Sequence, residues 1–139
     1  MSIAIRYCSR TGNTKKLALA IAEALGVEAK EVSVPLEEKT DLVFLGSAVY
    51  AAGVDDAVKA FLSANKDKIG TLVNVSTAAL LPSTYSQIKK LAAENGISLS
   101  PEEYHCRGRF SLMHRDRPNA DDLKAAQAFA RRVADPHKN

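Results

Sequence analysis

Only two cysteines occur in the 139 residues, Cys8 and Cys106, and no Cys-x-x-Cys spacing is present. That argues against a disulfide framework and against a thiolate metal site; two reduced, partly buried thiols are expected instead. Histidine is equally sparse, and His105, His114 and His137 show no metal-ligand spacing. No apolar stretch is long enough to cross a bilayer, so no membrane span is expected. Strand-forming residues begin at Ile3, so no secretory signal is expected and the cytoplasm is the expected compartment. Neither sign of charge dominates. The net charge of +3 is too small to imply nucleic acid as a partner. No repeat, low-complexity tract or linker divides the chain, which leaves a single domain over residues 1–139, large enough to bury a core.

The chain is organised around the stretch from Tyr7 to Leu17. Before it, Ile3-Ala4-Ile5-Arg6-Tyr7 has apolar side chains at alternate positions, as in a strand. After it, Leu17, Ile21 and Leu25 fall four apart with Ala18 and Ala22 beside them, as on one face of a helix. The loop between them holds three hydroxyls, Ser9, Thr11 and Thr14, and one glycine, Gly12. Hydroxyls and the N–H groups of a helix start can together wrap a phosphate. Gly12 lets the backbone approach the anion and turn its amides inward. No Gly-Lys-Ser/Thr follows, so this is not a Walker loop, and one glycine does not make a Gly-x-Gly-x-x-Gly turn. A plain helix cap by Thr11 or Asn13 is the competing reading. The position at the first strand–helix junction favours phosphate.

The helix from Asn13 is predicted to stop at Gly26. A strand follows over 27–34, whose Glu28, Lys30 and Glu31 mark a sheet edge, and Pro35 ends it. Residues 42–48 are apolar without alternation, as in a central parallel strand covered on both faces. Asp55 or Asp56 opens a second helix with Val58, Phe61 and Leu62 inward. A strand over 69–75 and a loop over 76–82 come next. They lead to a helix capped by Ser83, with Ile88, Leu91 and Ala92 inward and Asn95-Gly96 at its end. The last strand is expected over 103–107, and the last helix after Pro118-Asn119, through Leu123, Ala126, Phe129 and Val133. Strands alternating with helices give a three-layer α/β sandwich.

Ser9-Arg10-Thr11-Gly12-Asn13-Thr14 resembles the flavodoxin phosphate loop, whose pattern is Ser/Thr-any-Thr-Gly-any-Thr. The resemblance extends over nearly the whole chain, in the short form of the family. It implies a five-stranded parallel sheet of order 2-1-3-4-5, with the ligand at the carboxyl ends of the strands beside the switch point. It also implies FMN, its terminal phosphate held by residues 9–14. The second loop, Ala48, Val49, Tyr50, Ala51, Ala52 and Gly53, and the third, from Ser76, Thr77 and Ala78, would then clasp the isoalloxazine. Tyr50 matches the family's stacking aromatic. Gly53 matches the loop whose carbonyl answers the protonated flavin nitrogen, although a plain turn glycine fits it equally. Ser76 and Thr77 would reach the ribityl chain.

Two departures from the family pattern stand out. Ala78-Ala79-Leu80-Leu81 replaces the glycine, aspartate and second aromatic of many flavodoxins, and Tyr85 lies in the helix beyond. The chain is also basic, with Arg107, Arg109, Arg115 and Arg117 clustered after the last strand, where flavodoxins are usually acidic. Other sandwich families fail at the same edge. After Cys8 and five intervening residues a low-molecular-weight phosphatase needs arginine, but Thr14 stands there. The third strand ends in Gly46-Ser47-Ala48 without the aspartate of a response regulator. Three functions remain open: an FMN-bound electron carrier; an FMN-dependent oxidoreductase acting on quinones or similar acceptors; and a binding module that has lost flavin. No residue is a compelling general acid, base or nucleophile, so the carrier leads. Its expected partner is a redox protein or a small-molecule electron acceptor, and its expected state a monomer or weak dimer.

Overall fold

The leucine and isoleucine spacing of the first helix and the uninterrupted apolar run near residue 44 are explained by one arrangement. In the computed structural model, which describes residues 1–9, 12–48, 54–78, 84–107 and 118–135, parallel strands form a sheet covered on both faces. The elements are β1 (Ile3–Tyr7), α1 (Asn13–Leu25), β2 (Ala29–Glu31), β3 (Thr40–Ala48), α2 (Asp56–Asn65), a single 3₁₀ turn (Lys66–Lys68), β4 (Ile69–Ala78), α3 (Tyr85–Asn95), β5 (Leu99–Arg107) and α4 (Ala120–Ala134). The strand order is β2-β1-β3-β4-β5, as expected, and every pairing is parallel.

Side chains of β3 alternate between two cores. Leu42 and Phe44 join Ile5, Leu17, Ile21, Val73, Val75 and Phe129 under α1 and α4. Val43 and Leu45 join Val58, Phe61, Leu62, Leu72 and Ile88 under α2 and α3. With both faces buried, a strand has no reason to alternate polar with apolar residues. The two cysteines belong to opposite faces, Cys106 in the first core and Cys8 packed against the second.

Local chemistry sets the helix ends. Gly26 and Gly96 take left-handed conformations that close α1 and α3, and Gly26 and Val27 both donate to the Ala22 carbonyl. Asp55 caps α2, its carboxylate accepting from the Ala57 amide at 2.9 Å. Asn119 and Asp122 form a reciprocal capping box at the start of α4. The Tyr104 hydroxyl then donates to the Asp122 carbonyl at 2.8 Å and fastens α4 to β5. Among the described residues no helix is long and apolar enough to cross a membrane.

Three strands differ in extent from the sequence expectation. β2 lies at the edge, as its charges indicate, yet covers only three residues. The Val27 amide is used by the helix stop, and the Val34 amide closes a turn on the Glu31 carbonyl, so neither end can extend the ladder. β4 runs on to Ala78, beyond the expected end at Val75, because Ser76 and Thr77 pair with β3 on one side and β5 on the other. β5 starts at Leu99, four residues early, and its register shifts between the Leu72↔Leu99 and Asn74↔Glu103 pairs. Pro101, which cannot donate to a ladder, falls inside that irregularity on an edge strand.

Arg6 is the one buried cation of β1, 6% exposed. Its guanidinium donates to the carbonyls of Val34 (2.8 Å), Pro35 (3.2 Å) and Ile5 (3.0 Å), tying the β2–β3 connection to the sheet. Burial lowers its pKa from the ordinary arginine value, and the charges of Glu37 and Glu28 oppose that shift.

Candidate functional site

β1, β3 and β4 are neighbours and run the same way, so their carboxyl ends share one edge of the sheet. The described part of the candidate site lies there: Ser9 after β1; Gly12, Asn13 and Thr14 at the start of α1; Ala48 at the end of β3; Ser76, Thr77 and Ala78 at the end of β4. Arg10, Thr11, Val49, Tyr50, Ala51, Ala52 and Gly53 lie outside the described residues, as do Arg109, Arg115 and Arg117 of the basic stretch and Ser83, the expected cap of α3.

The start of α1 is set by a glycine. Gly12 sits at the N-cap with φ of 89°, a left-handed conformation that glycine adopts without strain. A Cβ there would meet nothing within 4 Å, so conformation, not space, selects the glycine. The Gly12 carbonyl accepts the first helical bond from Lys16 at 3.0 Å, and its amide donates to Ser9 Oγ at 3.0 Å. Among the described residues no side chain caps the helix at Gly12, and its first turn holds no carboxylate but does hold the exposed Lys15 and Lys16. By contrast α2 opens with Asp55 and Asp56, and α4 with Asp121 and Asp122. The positive end of the α1 dipole thus meets no acidic side chain in its own first turn.

Thr14 is 1% exposed and points across the sheet. Its hydroxyl lies 3.0 Å from that of Thr77, itself 2% exposed, so the start of α1 and the end of β4 are joined directly. Gly46 makes the reach possible. A Cβ at that position would stand 2.9 Å from Thr14 Cγ2 and 3.3 Å from Tyr7 Cβ.

On the other face of the same strand ends lies a buried polar cluster of Ser47, Asn74, Ser76 and Thr84, each 0% exposed. The Thr84 hydroxyl is 2.9 Å from the Ser47 hydroxyl and accepts from the Asn74 amide nitrogen at 3.1 Å. The Thr84 backbone amide donates to Ser76 Oγ at 3.3 Å. Thr84 also occupies the N-cap of α3 without capping it through its side chain. Its hydroxyl anchors the helix start to β3 and β4 instead. Tyr85 turns toward the sheet's far strand and donates to the Ser100 carbonyl at 3.1 Å.

Sequence reasoning passed over Gly46, Ser47, Asn74 and Thr84. A glycine inside an apolar strand signals close approach of another group. Polar residues inside strands buried on both faces signal a satisfied internal network, because an unpaired polar group there is costly. Both signals are present in the sequence. Among the described residues no three His, Cys, Asp or Glu side chains are grouped to hold a metal.

Known proteins share this fold. The family model of the flavodoxin domain matches residues 4–107. An uncharacterized protein of Methanocaldococcus jannaschii is 26% identical over 134 residues, covering 87% of this chain and 89% of that relative. A flavodoxin from the domain Archaea superposes with a TM-score of 0.80 at 16% identity over the whole of both chains. Oxidised flavodoxin 1 from Bacillus cereus superposes with a TM-score of 0.73 at 17% identity, covering 96% of this chain and 97% of that one.

Proposed function

The chain belongs to the flavodoxin family, and from that premise we propose that it binds FMN and serves as an electron carrier. The observation that carries the reading is the start of α1, with a left-handed glycine at the N-cap and no carboxylate in the first turn. A terminal phosphate dianion suits that set of groups, since amides and hydroxyls donate and no carboxylate of the first turn repels it. The backbone of residues 12–14 and the hydroxyls of Ser9 and Thr11 would hold the phosphate. Residues 48–53, with Tyr50 as the stacking ring, and the backbone of residues 76–78 would line the flavin.

Bound FMN would supply the one-electron chemistry; the chain's own residues would bind it, orient it and set its exposure to water. This role requires no general acid, base or nucleophile from the protein. The electron acceptor is a redox protein or a small molecule, the working state a monomer or weak dimer, and the compartment the cytoplasm.

A fluorescence titration tests the cofactor. FMN is expected to bind far more tightly than riboflavin, and Thr11→Ala to weaken FMN about tenfold or more, the equivalent of one hydrogen bond to a charged acceptor at about 1.5–3 kcal/mol. Equal affinities for FMN and riboflavin in the parent protein refute a phosphate site.

A further inference from the structure

We propose that Thr77 is a positioning residue for the phosphate loop, acting through Thr14 and not on the ligand, and so a determinant of the preference for FMN over riboflavin. The inference rests on the FMN reading above. It starts from the two hydroxyls, 3.0 Å apart and buried to within 2% of completely. Neither has solvent to fall back on. The bond between them spans 63 residues of sequence and joins the second helical residue of α1 to the end of β4.

Thr14 has little freedom to do anything else. It is β-branched and helical, so its χ1 is restricted. Its Cγ2 fits against Gly46, where even a Cβ would come within 2.9 Å, and this leaves Oγ1 turned to β4. The side chain is therefore a strut running over β3. It sets the height and rotation of the first turn of α1 relative to the sheet edge. The amides of that turn are the groups proposed to meet the phosphate, and hydrogen bonds to a charged acceptor weaken steeply with misdirection. Loosening the strut would re-aim those amides. The flavin ring, held by other loops, would be much less affected.

Strand alternation sets the direction of Thr77. Along β4, Val73 and Val75 point into the core under α1, and Thr77 follows them two residues on. Ser76 points to the opposite face, where Thr84 takes its hydroxyl.

The test is the ratio of FMN to riboflavin affinity, measured by fluorescence on the whole chain. Thr77→Val keeps the shape and removes the hydroxyl. It is expected to weaken FMN about three- to tenfold, the worth of one neutral buried hydrogen bond, and to leave riboflavin within about twofold. Thr77→Ser should restore the parent ratio. The double variant Thr14→Val/Thr77→Val should lose no more FMN affinity than either single variant, because each change removes the same strut. Thr77→Ala makes the same measurement where valine disturbs folding. The inference is overturned if FMN and riboflavin weaken equally, if FMN binding is unchanged, or if the losses in the double variant multiply. Failure of the FMN reading would look different, as the parent itself would not distinguish the two ligands.

Discussion

Replacing Gly46 by alanine tests the packing that shapes the site. The new Cβ would lie 2.9 Å from Thr14 Cγ2, well inside the roughly 3.5–4.0 Å at which carbon atoms attract, with Tyr7 Cβ closing the other side at 3.3 Å. Thr14 cannot rotate away cheaply, since its other branch is held by Thr77 and its χ1 is restricted in a helix. Overpacking of this kind costs about 1–3 kcal/mol. Against it stands the intrinsic gain of alanine over glycine within a strand, about 0.5–1 kcal/mol. The clash is the larger effect, and a net loss of about 1–2 kcal/mol is expected. Urea unfolding should show it as a lower midpoint with an unchanged slope. The decisive arm repeats the substitution in a Thr14→Ser background, which lacks Cγ2 but keeps the hydroxyl. There Gly46→Ala should be close to neutral, giving a coupling of about 1 kcal/mol or more. Gly70→Ala is the control. Its Cβ would meet the Asp41 carbonyl oxygen at 2.7 Å, a backbone clash that a serine at position 14 cannot relieve. If Gly46→Ala costs the same in both backgrounds, the contact with Thr14 is not what keeps a glycine in β3.

Two further outcomes are expected. Thr84→Val removes the acceptor of the Asn74 amide and the partner of Ser47, and should lower stability by about 1–3 kcal/mol for each buried group left unpaired, read as a fall in the urea midpoint. Asp41 accepts from the Ser2 amide at 2.9 Å and the Ser2 hydroxyl at 3.2 Å, and these bonds hold its carboxyl below the ordinary aspartate value of 3.8. The folded state therefore binds its proton less readily than the unfolded chain, so the contribution is complete above that value and disappears as pH falls through the lower folded one. Asp41→Asn should reduce the urea midpoint near pH 6 and make much less difference at about pH 2.

Much of this fold was legible because its strongest signals are local. The alternation before Tyr7 and the four-residue spacing after Asn13 are complete within β1 and α1, and Gly26 stops the helix where the sequence marks it. The unbroken apolar run of β3 correctly announced a strand covered on both faces. Strand ends were less legible because they depend on competition for backbone groups. The amides of Val27 and Val34 could have extended β2 as easily as they serve the helix stop and the turn, and nothing in 27–34 ranks the two uses. β5 was shortened by the same difficulty. Ser100, Pro101 and Glu102 lie before the expected strand over 103–107, and only pairing with β4 across a register irregularity makes them part of it.

The strand and helix ends at the candidate site were legible in place and not in partnership. Sequence spacing could put Gly12, Thr14, Ser76 and Thr77 at one edge, but the two hydroxyls at 76 and 77 looked equivalent. They are not, for a reason of strand geometry alone. Once β4 continues through Ala78, successive side chains must alternate, so Thr77 inherits the α1 face from Val73 and Val75 while Ser76 follows Leu72 and Asn74 to the α3 face. The error of three residues in the end of β4 therefore hid both buried hydroxyl networks at once. A strand ending at Val75 leaves Ser76 and Thr77 free to point anywhere; a strand ending at Ala78 commits one to Thr84 and the other to Thr14. Gly46, the residue of β3 paired with both Tyr7 and Val75, leaves room for a helical threonine to cross the strand there.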